Sequence, residues 1–137
     1  MKLKKIKQIT LICLITVFSG VLLAGCTNVQ SGTFINHTEN VQNDTWTFSA
    51  TRANGHSTRN IEMNEDNLTK LYVNSTNDSG NISLILTQGE FTHYTDLTSG
   101  FNGFIDTQEF NPGQISLRLQ FENAEGIKIS ISWSVDE

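Results

Sequence analysis

Alternation of apolar and polar residues with a period of two, repeated from residue 46 to residue 135, constrains this chain more than any other feature. Trp46, Phe48 and Ala50 alternate with Thr47, Ser49 and Thr51. Ile61 and Met63 follow, then Leu71 and Val73, and Ile82, Leu84 and Leu86. The longest runs come last: Ile115, Leu117, Leu119 and Phe121, then Ile127, Ile129, Ile131, Trp133 and Val135. Successive side chains of a strand point to opposite faces, so each run is a half-buried strand with its Ser, Thr, Lys, Arg or Gln positions toward water. Helix signals are nearly absent, the best being one turn at Asn64-Glu65-Asp66-Asn67-Leu68.

The breaks between runs carry turn chemistry. Asn54-Gly55 is a pair that tolerates positive φ in tight hairpins, and Asn77-Asp78-Ser79-Gly80, Asn111-Pro112-Gly113 and Asn123-Ala124-Glu125-Gly126 punctuate in the same way. Seven or eight short strands, each with one apolar face to cover, predict an all-β domain over residues 45–137. The expected form is a single antiparallel β-sandwich, jelly-roll-like, although the strand count also admits a closed barrel.

The N-terminus is of a different kind. Met1 to Lys7 is basic, and Ile9 to Gly25 is apolar or small and free of charge. That is the layout of an export signal over residues 1–25, the run being slightly short for a permanent span. It ends in Leu22-Leu23-Ala24-Gly25-Cys26, which resembles the lipobox of bacterial lipoproteins. The resemblance implies cleavage before Cys26 and a diacylglycerol thioether on its sulfur. Acyl chains of the palmitate type would then hold the protein on the extracytoplasmic face of the cell membrane. Cys13 would leave with the signal and Cys26 would be consumed by lipid, leaving no disulfide, thiol nucleophile or thiolate metal ligand. Residues 26–44, rich in Asn, Thr, Gln and Ser, read as the lipidated Cys and a flexible tether, with a short strand at Thr33 to Ile35.

All 14 acidic residues follow Cys26, against five basic ones (Arg52, Arg59, Lys70, Arg118, Lys128), a formal charge of −9 for that part. Such a surface repels phosphate backbones, so nucleic acid is not an expected partner.

The order of Gly80-x-Ile-x-Leu-x-Leu86, Pro112-Gly113-x-Ile-x-Leu-x-Leu119 and Gly126-Ile127-x-Ile-x-Ile-x-Trp133 is similar to small Gram-positive lipoproteins with one β-sandwich domain. It also loosely resembles the non-catalytic C-terminal sandwich of secreted bacterial peptidases. These are turn and core patterns, so the resemblance implies a fold and transfers no functional residue.

Chemical motifs are sparse. His37, His56 and His93 are far apart and lack paired-ligand spacing, so no metal and no cofactor are expected. No Gly-x-Ser-x-Gly elbow occurs. Asp96, Asp106 and Glu109 would work as acid and base only if folding paired them. A calcium loop would need Asp-x-Asp-x-Asp-Gly, where this chain has Ser75, Asn77, Ser79 and Gly80. Trp46 and Trp133 fall in register with apolar neighbours and read as core.

The stretch from Gln88 to Thr107 holds Phe91, His93, Tyr94, Phe101 and Phe104 among Gly89, Gly100 and Gly103. If Phe91 and Leu97 face the core, Tyr94 faces solvent, and a flat aromatic near mobile glycines suits a sugar ring or a peptide. The competing expectation is that the phenylalanines plug the open ends of the sandwich. The functional expectation is therefore a non-enzymatic binding module for a cell-surface glycan or peptide, with Phe91, His93, Tyr94 and Phe101 as candidate ligand contacts. The alternative is an accessory subunit docking onto another envelope protein by strand addition along Ile127 to Val135.

Overall fold

The computed structural model describes residues 28–134; the signal-like segment, Cys26 and Val135 lie outside the described residues. Two strands organise the rest. β3 (Thr45–Met63) and β8 (Gly113–Ser132) pair antiparallel from Thr45↔Ser132 to Met63↔Gly113. The other elements are β1 (Asn28–Ile35), β2 (Thr38–Gln42), α1 (Glu65–Thr69), β4 (Tyr72–Thr76), β5 (Ser79–Gln88), β6 (Phe91–Asp96) and β7 (Phe101–Phe104).

The first half of the β3–β8 ribbon is flanked by β2 on one side and β4 then β7 on the other, giving the order β2-β3-β8-β4-β7. The second half is flanked by β1 on one side and β5 then β6 on the other, giving β1-β3-β8-β5-β6. One antiparallel sheet is thus bent over itself into two layers around a single apolar core. Phe48 from the first layer stacks on Phe121 from the second at a centroid distance of 4.7 Å, across the inside of the fold. The expected all-β antiparallel class holds.

Eight strands fall within the expected number, and the bend explains the one systematic departure from the expected connections between them. Asn54-Gly55 and Asn123 to Gly126 are not hairpin turns, because both lie within continuous strands where the ribbon passes from one layer to the other. Asn54 stands against two residues of β8, Glu122 and Asn123, since Ala53 pairs with Ala124 and Gly55 with Phe121. The extra residue lies in β8 and resets its inward parity from Ala124 to Phe121, while β3 changes its own from Trp46, Phe48 and Ala50 to Ala53, Ser57 and Met63 as it passes the bend. Ala53 and Ala124 meet on the inside of the bend, where both are buried.

Residues 28–42 form two paired strands, correcting the expected tether. β1 runs the length of Asn28↔Arg59 to Ile35↔Arg52, and β2 pairs from Thr38↔Ser49 to Gln42↔Thr45. An edge strand gains backbone hydrogen bonds without needing an apolar face of its own, so low hydrophobicity concealed both. Phe34 adds packing, its ring lying edge-on to Phe48 and Phe121.

The expected single helical turn is present as α1. Asn64 accepts from Asn67 N at 2.8 Å while Asn67 Oδ1 accepts from Asn64 N at 2.9 Å, a reciprocal cap. Asn67 also donates to the Trp133 carbonyl at 3.0 Å, fixing α1 over the end of the core. Asn64→Ala should cost about 1 kcal/mol, measurable as a lower urea midpoint at unchanged slope.

Candidate functional site

The four residues singled out from the sequence do not converge. Phe91, 49% exposed, sits where the β5–β6 hairpin turns, so it does not face the core as expected. Leu97 is buried as expected. On β6, His93 is half-buried and Tyr94, 61% exposed, points to the opposite face with its hydroxyl 2.8 Å from Ser83 Oγ. Phe101 belongs to the other layer and packs, half-buried, against the core. The phenylalanines therefore divide: Phe101 is a plug, while Phe91 and Phe104 are exposed.

A different surface gathers polar and aromatic groups. In an antiparallel sheet directly opposed residues share a face. On the outer face of the first layer the register aligns Gln42, Thr45, Ser132, Tyr72 and Phe104 in one row. The next row is Asn40, Thr47, Ser130, Asn74 and Asn102, and the third brings Thr38, Ser49, Lys128 and Thr76 together. With strands about 4.8 Å apart, the face is about 19 Å wide. The first row ends on an aromatic pair: Tyr72 and Phe104 meet edge to face at 5.0 Å, and the Tyr72 hydroxyl bonds to Asn102 Oδ1 of the second row. Phe104 is 60% exposed. A shallow depression of about 380 Å³ lies on this face, with Thr47, Asn74, Lys128 and Ser130 among its lining residues.

The sequence carried a signal for this face that alternation alone passes over. The outward positions are mostly hydroxyls and amides, with Lys128 the lone charge in those three rows, whereas a merely solvated strand face commonly carries Lys and Glu.

The densest polar cluster lies inside. Glu39, on the inward side of β2, has a side chain only 7% exposed. Its Oε1 accepts from Trp46 Nε1 at 2.8 Å, Ser57 Oγ at 2.8 Å, Arg59 Nε at 3.0 Å and Arg59 Nη2 at 2.9 Å. Its Oε2 lies 3.3 Å from both Gln30 Nε2 and His37 Nε2. The Arg59 guanidinium also sits 5.9 Å from the Trp46 ring centroid. Burial pushes the Glu39 carboxyl up, but the hydrogen bonds from Ser57, Arg59 and His37 and the charge of Arg59 outweigh it and hold the group below its ordinary value. Glu, His and Ser in one cluster suggest nucleophilic catalysis, yet the Ser57 hydroxyl donates to Glu39 and not to a histidine. A saturated, strongly ionised carboxylate is a poor proton acceptor. The chemistry available here is a structural clasp tying β1, β2 and both halves of β3 together.

The remaining candidates serve local structure. Asp96 accepts from Thr98 N at 2.9 Å and Asp106 from Gln108 N at 3.1 Å, each closing its own turn. Thr98 holds the Asp96 carboxyl below its ordinary value. His56 Nδ1 lies 3.1 Å from Arg118 Nη2 on the outer face of the second layer. Trp46 and Trp133 are both core. Among the described residues no group of three or more His, Cys, Asp or Glu side chains is placed to hold a metal ion. The segment expected to add a strand is not an edge: Ile127 to Ser132 is paired by β3 on one side and, from Lys128 on, by β4 on the other.

The chain matches no protein-family model and no curated protein sequence.

Proposed function

We propose that this chain is a non-enzymatic binding module, held by lipid on Cys26 at the extracytoplasmic face of the cell membrane, and that its ligand is a glycan lying across the outer face of β2-β3-β8-β4-β7. One observation carries the reading: a sheet face of hydroxyl and amide side chains ending on half-buried Tyr72 and exposed Phe104. Hydroxyls and carboxamides both donate and accept, which matches the bonding of a sugar, and an aromatic ring covers the apolar C–H face of a pyranose. A peptide would ask instead for apolar pockets between such groups.

The anchor fits the same picture. Cys26 precedes Asn28, where β1 begins, by two residues, a span of at most about 7 Å. With lipid on Cys26 the sandwich would stand close to the bilayer.

The test is glycan binding by the full chain extracted in detergent. Phe104→Ala should weaken binding about tenfold while leaving the unfolding midpoint nearly unchanged, because so exposed a ring contributes little to the core. Phe91→Ala and Tyr94→Ala should bind as the parent does. Loss of binding in Tyr94→Ala but not Phe104→Ala would move the site to the other layer.

A second reading, association through strand addition, draws on β1. This eight-residue edge strand bears no charge, exposes Val29 and Ile35, and pairs only with β3 among the described residues. Gly32 at its centre, at φ +122°, breaks the regularity such pairing needs. A protein that stays monomeric at high concentration counts against this reading, and the absence of any crosslinked partner at β1 in the native envelope would remove it.

A further inference from the structure

The depression on the outer face continues into a second one of about 460 Å³, and the two share Ser49, Thr76 and Lys128. Together they form a trough along the strand direction from the Thr47 row to Thr51, Asp78 and Gly126 at the bend, about 13 Å long at the usual rise per residue. Lys128 stands where the two halves join. Three of the domain's basic residues are committed elsewhere: Arg52 to Glu125, Arg59 to Glu39 and Lys70 to Asp66. Arg118 faces His56 on the other layer. Among the described residues Lys128 pairs with no carboxylate. A cation without a partner, in the middle of a trough otherwise lined by neutral groups until Asp78, is placed to meet a charge on the ligand.

We infer that the glycan is anionic: a hydroxyl-rich chain carrying spaced carboxylate or phosphodiester groups, one of which pairs with Lys128. This rests on the glycan-binding reading and names the class of its ligand. Spacing is required by the rest of the domain. With a formal charge near −9 after Cys26, a densely charged polyanion is repelled, whereas an isolated anion in the trough feels Lys128 at contact and the other carboxylates through screening solvent. Lysine, a compact point charge with three donors, serves either anion, so the two chemistries are separated by experiment rather than by geometry.

The experiment measures binding of the full chain, in detergent, to three probes. They are a neutral N-acetylglucosamine oligomer, an oligosaccharide alternating uronate with a neutral sugar, and an oligosaccharide of neutral sugars with a single phosphodiester linkage. One anionic probe should bind at least about tenfold tighter than the neutral one, and which of the two does so identifies the anion. Lys128→Met should reduce that probe to the level of the neutral one, Lys128→Arg should keep the preference, and added salt should shrink it. Equal binding of neutral and anionic probes, or a preference that survives Lys128→Met, overturns the inference and leaves the glycan reading standing. Failure of all three probes to bind removes both.

Discussion

Glu39→Ala is expected to destabilise the domain by about 3–5 kcal/mol, seen as a large drop in the urea midpoint. The carboxylate is the common acceptor for Trp46, Ser57 and Arg59. Removing it strands a guanidinium whose side chain is only 19% exposed, together with a buried hydroxyl and an indole N–H. Stranded groups carry the cost: a buried pair is worth little against an apolar replacement, but half of one is costly. The variant with Glu39→Met and Arg59→Met together should therefore lose less than Glu39→Ala alone, although Ser57 and Trp46 still lack their acceptor. If the double variant is no better than the single one, the stranded cation is not the source of the loss.

The same clasp predicts a pH dependence with a definite sign. The folded Glu39 carboxyl lies below its ordinary value, so its contribution is fully present above the unfolded value, about pH 4.3, and is lost as pH falls through the folded one. The stability gap between the parent and Glu39→Gln should be widest near neutrality and should narrow on acidification below about pH 4.3. Carboxylates elsewhere titrate in both proteins and cancel in the difference. His37 and Arg59 face the carboxylate from the β1–β2 connection and from β3, so protonation of Glu39 weakens the contacts that join these elements. A gap that stays constant throughout argues against an ionised Glu39.

What the sequence disclosed, and what it hid, follows from the range of the interactions involved. Alternation is local, so the inward positions from Trp46 to Trp133 could be read directly and are nearly all buried. The joining of runs was not legible, because Asn54-Gly55 serves a bulge as well as a hairpin, and only the partner strand decides between them. Glu39 and Arg59 are 20 residues apart, with nothing local to link them, and the polar composition of residues 28–42 pointed away from structure. The candidate site shows the same division. An exposed aromatic between residues 88 and 107 was expected, and Phe104 is one, but its partners Tyr72 and Asn102 come together only through the β4–β7 pairing. The register between distant strands set that position, and of the four residues expected to bind, Phe91, His93 and Tyr94 went to the other layer while Phe101 turned toward the core.

Gly55→Ala should be nearly as damaging, by about 2–6 kcal/mol, and its effect tests whether the bend itself holds the two layers in place. Gly55 has φ +134° and lies opposite Gly32 in the β1–β3 pairing, where a Cβ on Gly55 would come within 2.7 Å of the Gly32 Cα. Neither backbone can retreat. β3 is fixed on its other side by β8, and β1 is held by its ladder to β3 on both sides of Gly32. The clash must open either β1 or the bulge at Asn54, whose side chain accepts from Asn123 N at 3.3 Å across the bend. Gly89→Ala is the control: it has φ +58°, within the left-handed region, and open space where a Cβ would go. It should cost only about 1–2 kcal/mol. A melting temperature lowered by about 10 °C or more in Gly55→Ala, and by clearly less in Gly89→Ala, separates close approach from backbone conformation as the cause. Equal shifts would mean that the β1–β3 approach is not tight. The binding face adds a second reading of the same variant, since Ser49, Thr76 and Lys128 sit next to the bend. At a temperature where Gly55→Ala is still folded, glycan affinity should fall with the loss of layer alignment, although no residue of the trough has been changed.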